Sequence, residues 1–335
     1  MKNRVRLHFQ AKPQTACSIG WKWSLTLFFT LVTAGCISIS LFPPTLPLRE
    51  RTIEGTAAEK ILLLDVSGII SEGKDGGPLD RDGNIVARIK EELTLAAEDD
   101  QIKALLLRIN SPGGTVTASD VLHHELTAFK AKRRVPVVAV IMDIGASGGY
   151  YVATAADRII AHPTSVTGSV GVLMLRINAE GLLQKIGVEA AAIKSGPKKD
   201  SGSPFRAMAE DERALFQEMI NGFQSRFLEV VVKGRGALPP GKLKLIADGR
   251  VFTSPQALDL GLVDQVGYLD DAITTAKQVA GLADARVVMY VRPGTYKHNI
   301  YSELQGPGAL EALARLEVMD LVRGGTPQFL YLWLP

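Results

Sequence analysis

The chain reads as an α/β protein with a parallel sheet and flanking helices, preceded by one N-terminal transmembrane helix. Two patterns predict the sheet and a third predicts the anchor. Val137 to Met142 is a short, unbroken apolar run, and Ile61 to Val66 and Ala104 to Ile109 are similar strand-like runs, interrupted only by Asp65 and Arg108. That is the signature of strands buried on both faces. Between them lie helical stretches, one with Ile85, Ile89 and Leu93 in a single stripe and one over Ser119 to Arg133. Such alternation gives a parallel sheet with helices packed upon it. The third pattern is the absence of any charged side chain from Trp23 to Leu48.

In chain order, residues 1–23 form a basic segment in which Lys2, Arg4, Arg6, Lys12 and Lys22 face no acid. Residues 24–42 follow, and as a helix they span about 28 Å, close to the roughly 30 Å hydrocarbon core of a bilayer. Membrane lipid is therefore the expected partner of 24–42. Basic residues before the span predict a cytoplasmic N-terminus at the plasma (inner) membrane, with the rest of the chain outside. Pro43-Pro44, rather than a small-residue cleavage site, follows the span. Thr33-Ala34-Gly35-Cys36 leaves lipidation at Cys36 as an alternative anchor. Residues 43–59 read as a proline-containing linker, 60–290 as the main domain and 291–335 as a C-terminal extension. Within the main domain, Met208 to Val232 reads as a long helix whose Leu215, Met219, Phe223, Phe227 and Val230 make core or subunit contacts. The extension ends on the apolar tail Phe329 to Leu334, suited to a subunit contact or to pairing as an extra strand in a groove.

Composition narrows the function. The net charge is +3, but the first segment holds five of the 38 basic residues, so the remainder carries 33 basic against 35 acidic side chains. That balance gives no footprint for nucleic acid. Cys17 and Cys36 both precede the main domain, which therefore depends on neither a disulfide nor a cysteine-ligated metal. No metal or cofactor is expected. The main domain, 60–290, is large enough to be held by an apolar core.

Ser147 is the strongest chemical candidate. It sits in Asp143-Ile144-Gly145-Ala146-Ser147-Gly148-Gly149-Tyr150-Tyr151, directly after the Val137 to Met142 run. Flanking glycines let the backbone turn sharply and approach a substrate carbonyl, although the pentapeptide alone also fits an ordinary tight turn. Upstream, Asn110-Ser111-Pro112-Gly113-Gly114 follows another strand-like run. Its proline and glycines can aim backbone N–H groups into a cleft as an oxyanion hole, or simply lead into the next helix, which Thr117 and Asp120 begin in capping-box fashion.

The base is less obvious. None of the five histidines, His8, His123, His124, His162 and His298, is framed by a motif. Lys194-Ser195-Gly196-Pro197-Lys198-Lys199-Asp200 offers three lysines in a Gly/Ser/Pro-rich loop. A lysine acts as a base only when neutral, which requires its pKa to fall by about three units, roughly 4 kcal/mol of desolvation or like-charge pressure.

With Thr167-Gly168-Ser169-Val170-Gly171 and Asp248-Gly249-Arg250-Val251-Phe252-Thr253 added, these motifs run in the same order as in a known family, from about Lys60 to Ala280. The chain resembles the signal peptide peptidase A family in its short, single-copy form. The resemblance implies a membrane-anchored serine endopeptidase with a Ser/Lys dyad on a Clp protease/crotonase-like fold, degrading remnant signal peptides and other small or unfolded polypeptides. It implies Ser147 as nucleophile, Lys199 as general base with Lys194 in reserve, Gly114 and Gly148 as the oxyanion hole, and Ser169 as the hydroxyl that positions the lysine. It also implies a homo-oligomeric ring, an octamer, in which neighbouring subunits complete the groove. Two readings from other classes stand beside it. One is an α/β-hydrolase-type esterase using Ser147, His298 and Asp270 or Asp271. The other is a non-catalytic membrane scaffold.

Overall fold

A computed structural model describes residues 46–73, 84–236, 238, 241–293, 299–302 and 328–334. Eleven strands among them form one sheet: β1 (Arg49–Glu54), β2 (Lys60–Ile70), β3 (Ile102–Thr115), β4 (Val137–Ala146), β5 (Arg158–Ala161), β6 (Val166–Gly168), β7 (Leu173–Leu175), β8 (Val251–Thr253), β9 (Gln265–Val266), β10 (Arg286–Val291) and β11 (Gln328–Leu332). The main path runs β1-β10-β2-β3-β4-β5-β9. It is parallel from β10 to β9, as the alternating pattern predicts, and antiparallel at the β1 edge. Off this path, β6 pairs with β4 and β8, while β11 pairs with β3 and β7.

Alternation along the central strands sends side chains into two cores. Leu62, Leu64, Leu105, Leu107, Val137 and Ala139 face one side. There they meet α1 (Ile85–Ala97), α2 (Val116–Arg133), α3 (Gly148–Ala153) and α5 (Glu210–Arg235). Ile61, Leu63, Ala104, Leu106, Val138 and Val140 face the other, which is covered by α8 (Leu269–Val279). Burial on both faces is why these strands carry mainly apolar runs, with only the paired Asp65 and Arg108 breaking them, rather than alternating ones. Three shorter helices are also present among the described residues: α4 (Glu180–Lys185), α6 (Leu243–Ile246) and α7 (Ser254–Leu260).

The observed boundaries depart from the sequence reading in two places. The 43–59 linker contains β1, paired with β10 in register Arg49 to Val291, and α2 is capped two residues earlier than Thr117/Asp120 suggested, because the Thr115 side chain accepts the Ala118 N–H. The apolar tail of the 291–335 extension pairs as an extra strand, β11, one of the two outcomes the sequence offered. Of the long-helix residues, Phe227 and Val230 are core, whereas Leu215 and Met219 are exposed. No helix among the described residues is long and apolar enough to cross a membrane. The span expected at 24–42, the Cys36 box and His298 lie outside the described residues.

The second core face carries one buried ion pair. Arg108 in β3 is fully buried and bonds Asp65 of β2 through Nε and Nη2, at 3.1 and 3.0 Å. It also donates to the carbonyls of Ile300 and Ser302, tying that segment across the sheet. Removing one partner of such a pair leaves an uncompensated charge. Asp65→Ala should therefore lose about 3–5 kcal/mol in urea unfolding of the detergent-solubilised chain, and Asp65→Ala combined with Arg108→Met should recover much of it.

Candidate active site

At the end of β4 the chain turns sharply into α3. Ser147 is the turning residue, with φ 52° and ψ −117°. A non-glycine residue there costs about 1–3 kcal/mol and persists only where its surroundings over-determine it. The surroundings do so. Ser147 N–H donates to Gly168 O at 2.8 Å, Tyr151 N–H donates to Ser147 O at 2.8 Å, and Ala146 pairs with Gly168 across β4 and β6. The residue is 1% exposed, and its Oγ has no hydrogen-bond partner among the described residues. An orphaned buried hydroxyl in a strained turn is a reactive group waiting for a partner.

Gly113, Gly114 and Gly148 converge beside it. β3 does not end at Ile109 but stays extended through Ser-Pro-Gly-Gly to Thr115. Gly113 has φ 108°, and a Cβ built on it would meet Tyr331 O at 1.9 Å and Gly148 N at 2.7 Å. Gly113 N–H is taken up by the buried Ser111 hydroxyl at 3.1 Å. On Gly148, a Cβ would meet Ser119 Oγ at 2.4 Å. Close backbone approach is seen at all three glycines, with Tyr331 of β11 against Gly113 and Gly148 and Ile70 of β2 against Gly114.

β11 lies antiparallel to β3 on one side and β7 on the other. Trp333 N–H donates to Pro112 O at 2.9 Å. Two residues back in the same ladder phase, Tyr331 and Gly114 are a hydrogen-bonded pair, so the Gly114 N–H faces the Tyr331 carbonyl. The Tyr331 ring stacks on Tyr151 at 5.2 Å and packs against Phe227 at 4.7 Å, and its hydroxyl donates to Phe223 O at 2.8 Å. This aromatic pocket was missed in the sequence. Tyr151 is visible beside Gly148-Gly149, but only folding brings α5 over it.

The pocket wall has its own polar support. Tyr151 hydroxyl donates to Asp120, which also receives Arg226 at 2.9 and 3.1 Å. Burial works against the Asp120 charge, yet these bonds hold its carboxyl below the usual range. Asp120 thus bridges α2 and α5 rather than capping a helix. His123 stands edge-on to Tyr151 at 5.3 Å, and burial pushes its imidazole down to about 4. None of His123, His124 and His162 bonds the Ser147 hydroxyl.

Ser169 follows the Gly168 that pins Ser147, is buried, has φ 52°, and donates its N–H to Arg250 O. The fold thus assembles Ser147, Gly114, Gly148 and Ser169. It does not bring the lysines to Ser147. Lys194, Lys198 and Lys199 are exposed, in a segment where Ile193 is also fully exposed. Lys194 pairs with Asp200 at 2.6 Å and Lys198 with Asp211. Lys199 alone of the three has no ion-pair partner among the described residues.

The peptidase family S49 model matches residues 129–283, and the Clp protease model matches 79–167. Ser147 falls within both spans. A protein of Enterococcus faecium named as a signal peptide peptidase is 36% identical over 244 residues, 72% of this chain and 70% of its own length. The chain belongs to peptidase family S49. A Synechocystis protein named as a protease shares 38% over 229 residues, covering 68% of this chain and 77% of that one. The chloroplastic serine protease SPPA of Arabidopsis thaliana shares 34% over 250 residues, 73% of this chain but 36% of that longer protein. This family member is a serine endopeptidase with a mixed α/β, Clp protease-like fold. Family membership displaces the esterase and scaffold readings.

The strained turn carries a prediction. Ser147→Gly and Ser147→Ala should both be inactive, but glycine adopts φ 52° without steric cost, so Ser147→Gly should be about 1 kcal/mol more stable by thermal unfolding. Equal melting of the two would show that the turn stores no strain.

Proposed function

We propose that this endopeptidase cleaves extended apolar peptides, remnant signal peptides among them, with Ser147 as nucleophile and Lys199 as general base. The observation that carries the reading is β11. A peptide strand fits antiparallel between β3 and β7, with a carbonyl over Gly114 and beside Gly148, at the turn that holds Ser147. A substrate takes the place of β11. Main-chain pairing supplies affinity and the Tyr151/Phe227 pocket takes one side chain. The names of the relatives support signal peptides as the substrate class.

In the reaction, neutral Lys199 accepts the Ser147 proton as Oγ attacks the scissile carbonyl. The N–H groups of Gly114 and Gly148 hold the oxyanion. The lysine then returns the proton to the leaving amine, and water releases the acyl group by the reverse sequence. Ser169 orients the amine. Lys194 is less suited, because its amine is already engaged by Asp200 at 2.6 Å.

Among the described residues the dyad is unassembled: the nucleophile is buried without a hydrogen-bond partner, and the base is exposed without an ion-pair partner. A neighbouring copy completes it in our reading. Leu175, Ile177, Leu182, Ile186, Val188 and Ile193 are exposed on the flank that includes the lysine loop, an apolar surface of the kind subunits bury. We take the assembly to be a closed ring, an octamer by resemblance. It is anchored through residues 24–42 with a cytoplasmic N-terminus, and the protease domain lies outside the plasma membrane.

The test is hydrolysis of a fluorogenic apolar peptide by the detergent-solubilised chain. Ser147→Ala should abolish turnover, and Lys199→Ala should lower kcat at least about 1,000-fold, with Lys194→Ala much milder. Wild-type activity should rise towards alkaline pH, since only the neutral amine is a base. Full activity in Lys199→Ala would remove the assignment. Deleting residues 328–335 should raise the initial rate on short peptides by vacating the groove, and an unchanged rate would show that β11 does not compete with substrate.

A further inference from the structure

The lysine loop has almost no apolar anchorage. Residues 187–195 are all exposed, and α4 buries no side chain. A base that must meet a hydroxyl to within a fraction of an ångström nevertheless needs a fixed backbone. What holds the loop is Arg206. Its Nε and Nη2 bond the two carboxylate oxygens of Asp200 at 3.0 and 2.9 Å, and Nη2 also bonds the Asp200 main-chain carbonyl at 3.0 Å. Nη1 reaches Glu212 Oε2 at 2.9 Å and Ala207 O at 3.0 Å.

We propose that Arg206 is a positioning residue for catalysis, acting through Asp200 to fix the direction in which the adjacent Lys199 leaves the loop. The inference rests on the reading of Lys199 as base. Asp200 is gripped at three atoms of one residue, so its backbone orientation is set, and Lys199 precedes it directly. The other end of the grip is solid. Glu212 is 2% exposed and lies in the first turn of α5. It also accepts from Ala209 N–H at 3.2 Å and Ser201 hydroxyl at 3.3 Å. α5 carries Phe223 and Phe227 into the wall of the peptide groove. Arg206 therefore ties the loop of the base to the helix that walls a groove.

Lys194, Lys198, Asp211 and Arg176 also border this loop. Lys194 adds a second cation on Asp200, Lys198 pairs with Asp211, and Arg176 donates to the Ser203 and Arg206 carbonyls. The Arg206 guanidinium holds the Glu212 carboxyl down to about 2 and the Asp200 carboxyl below its usual range. Both acids thus stay charged from mildly acidic pH upward. The grip is then constant across the range in which an amine titrates, and a shifted activity limb reports on the lysine itself. A planar fork suits this geometry and an ammonium does not.

The experiment compares Arg206→Ala, Arg206→Lys and Lys199→Ala in the detergent-solubilised full chain, by peptide hydrolysis from pH 6 to 10 and by thermal melting. Arg206→Ala should lower kcat by about 100-fold with KM within about twofold, as expected for misplacement of a group by about an ångström. Its alkaline-rising limb should move to higher pH, and added guanidinium ion should restore part of kcat. Arg206→Lys should recover little. If Lys199→Ala is inactive while Arg206→Ala keeps wild-type kcat and pH limb, the positioning role is overturned and the dyad stands. If Arg206→Ala loses melting temperature and kcat together with an unmoved limb, Arg206 is merely structural. If Lys199→Ala is active, the failure lies in the base assignment itself.

Discussion

Everything in the site depends on the sharp turn that Ser147 makes between β4 and α3. The turn is unfavourable for a residue with a side chain, and the molecule compensates by leaving no alternative. β4 is buried on both faces and held between β3 and β5. At its end Ala146 pairs with Gly168, and Ser147 N–H is claimed by the Gly168 carbonyl. α3 begins at once, with Tyr150 and Tyr151 sunk into the core. A hydroxyl placed this way is rigid without any bond of its own, the condition for a preorganised nucleophile.

The two halves of the proposed dyad are built by different physics. The nucleophile and the N–H groups around it are set by apolar packing and main-chain ladders, where a Cβ on Gly113 or Gly148 would collide with neighbouring atoms at under 3 Å. The lysine loop has little packing and is held by charge. Arg206, Asp200, Glu212 and Lys194 form a connected cluster, and its exposed members individually carry little stability. Their value is directional. An exposed loop of this kind also suits a base that is delivered to another subunit, since it must reach away from its own core.

β11 shows how a groove of this design handles a peptide. The backbone is read on both edges, by β3 and β7, so any extended chain can pair. One side chain enters the Tyr151, Phe223 and Phe227 pocket, whose wall is kept in place by Asp120 between Tyr151 and Arg226.

Sequence alone determined the class and the chemistry. Ile61 to Val66, Ala104 to Ile109 and Val137 to Met142 announced buried parallel strands, because burial on both faces forbids polar alternation. Ser147 stood out because glycines on either side mark a turn that packing must force. Pro112, Gly113 and Gly114 marked a backbone able to aim N–H groups into a cleft, before the strand lying on it was known. The reading erred where contacts join residues distant along the chain. β1 fell within a proline-containing linker because four of its six side chains are exposed and its partner strand lies at the far end of the domain, and Asp120 looked like a cap because its partners Tyr151 and Arg226 lie 31 and 106 residues away. The aromatic pocket and the place of β11 were decided by tertiary structure for the same reason: α5 and the C-terminal strand reach the site only after the sheet has closed. The preference for Lys199 over Lys194 came from the family resemblance, whereas the pairing of Lys194 with Asp200 and of Lys198 with Asp211 is visible only in three dimensions, because local sequence carries no record of a partner selected by the fold.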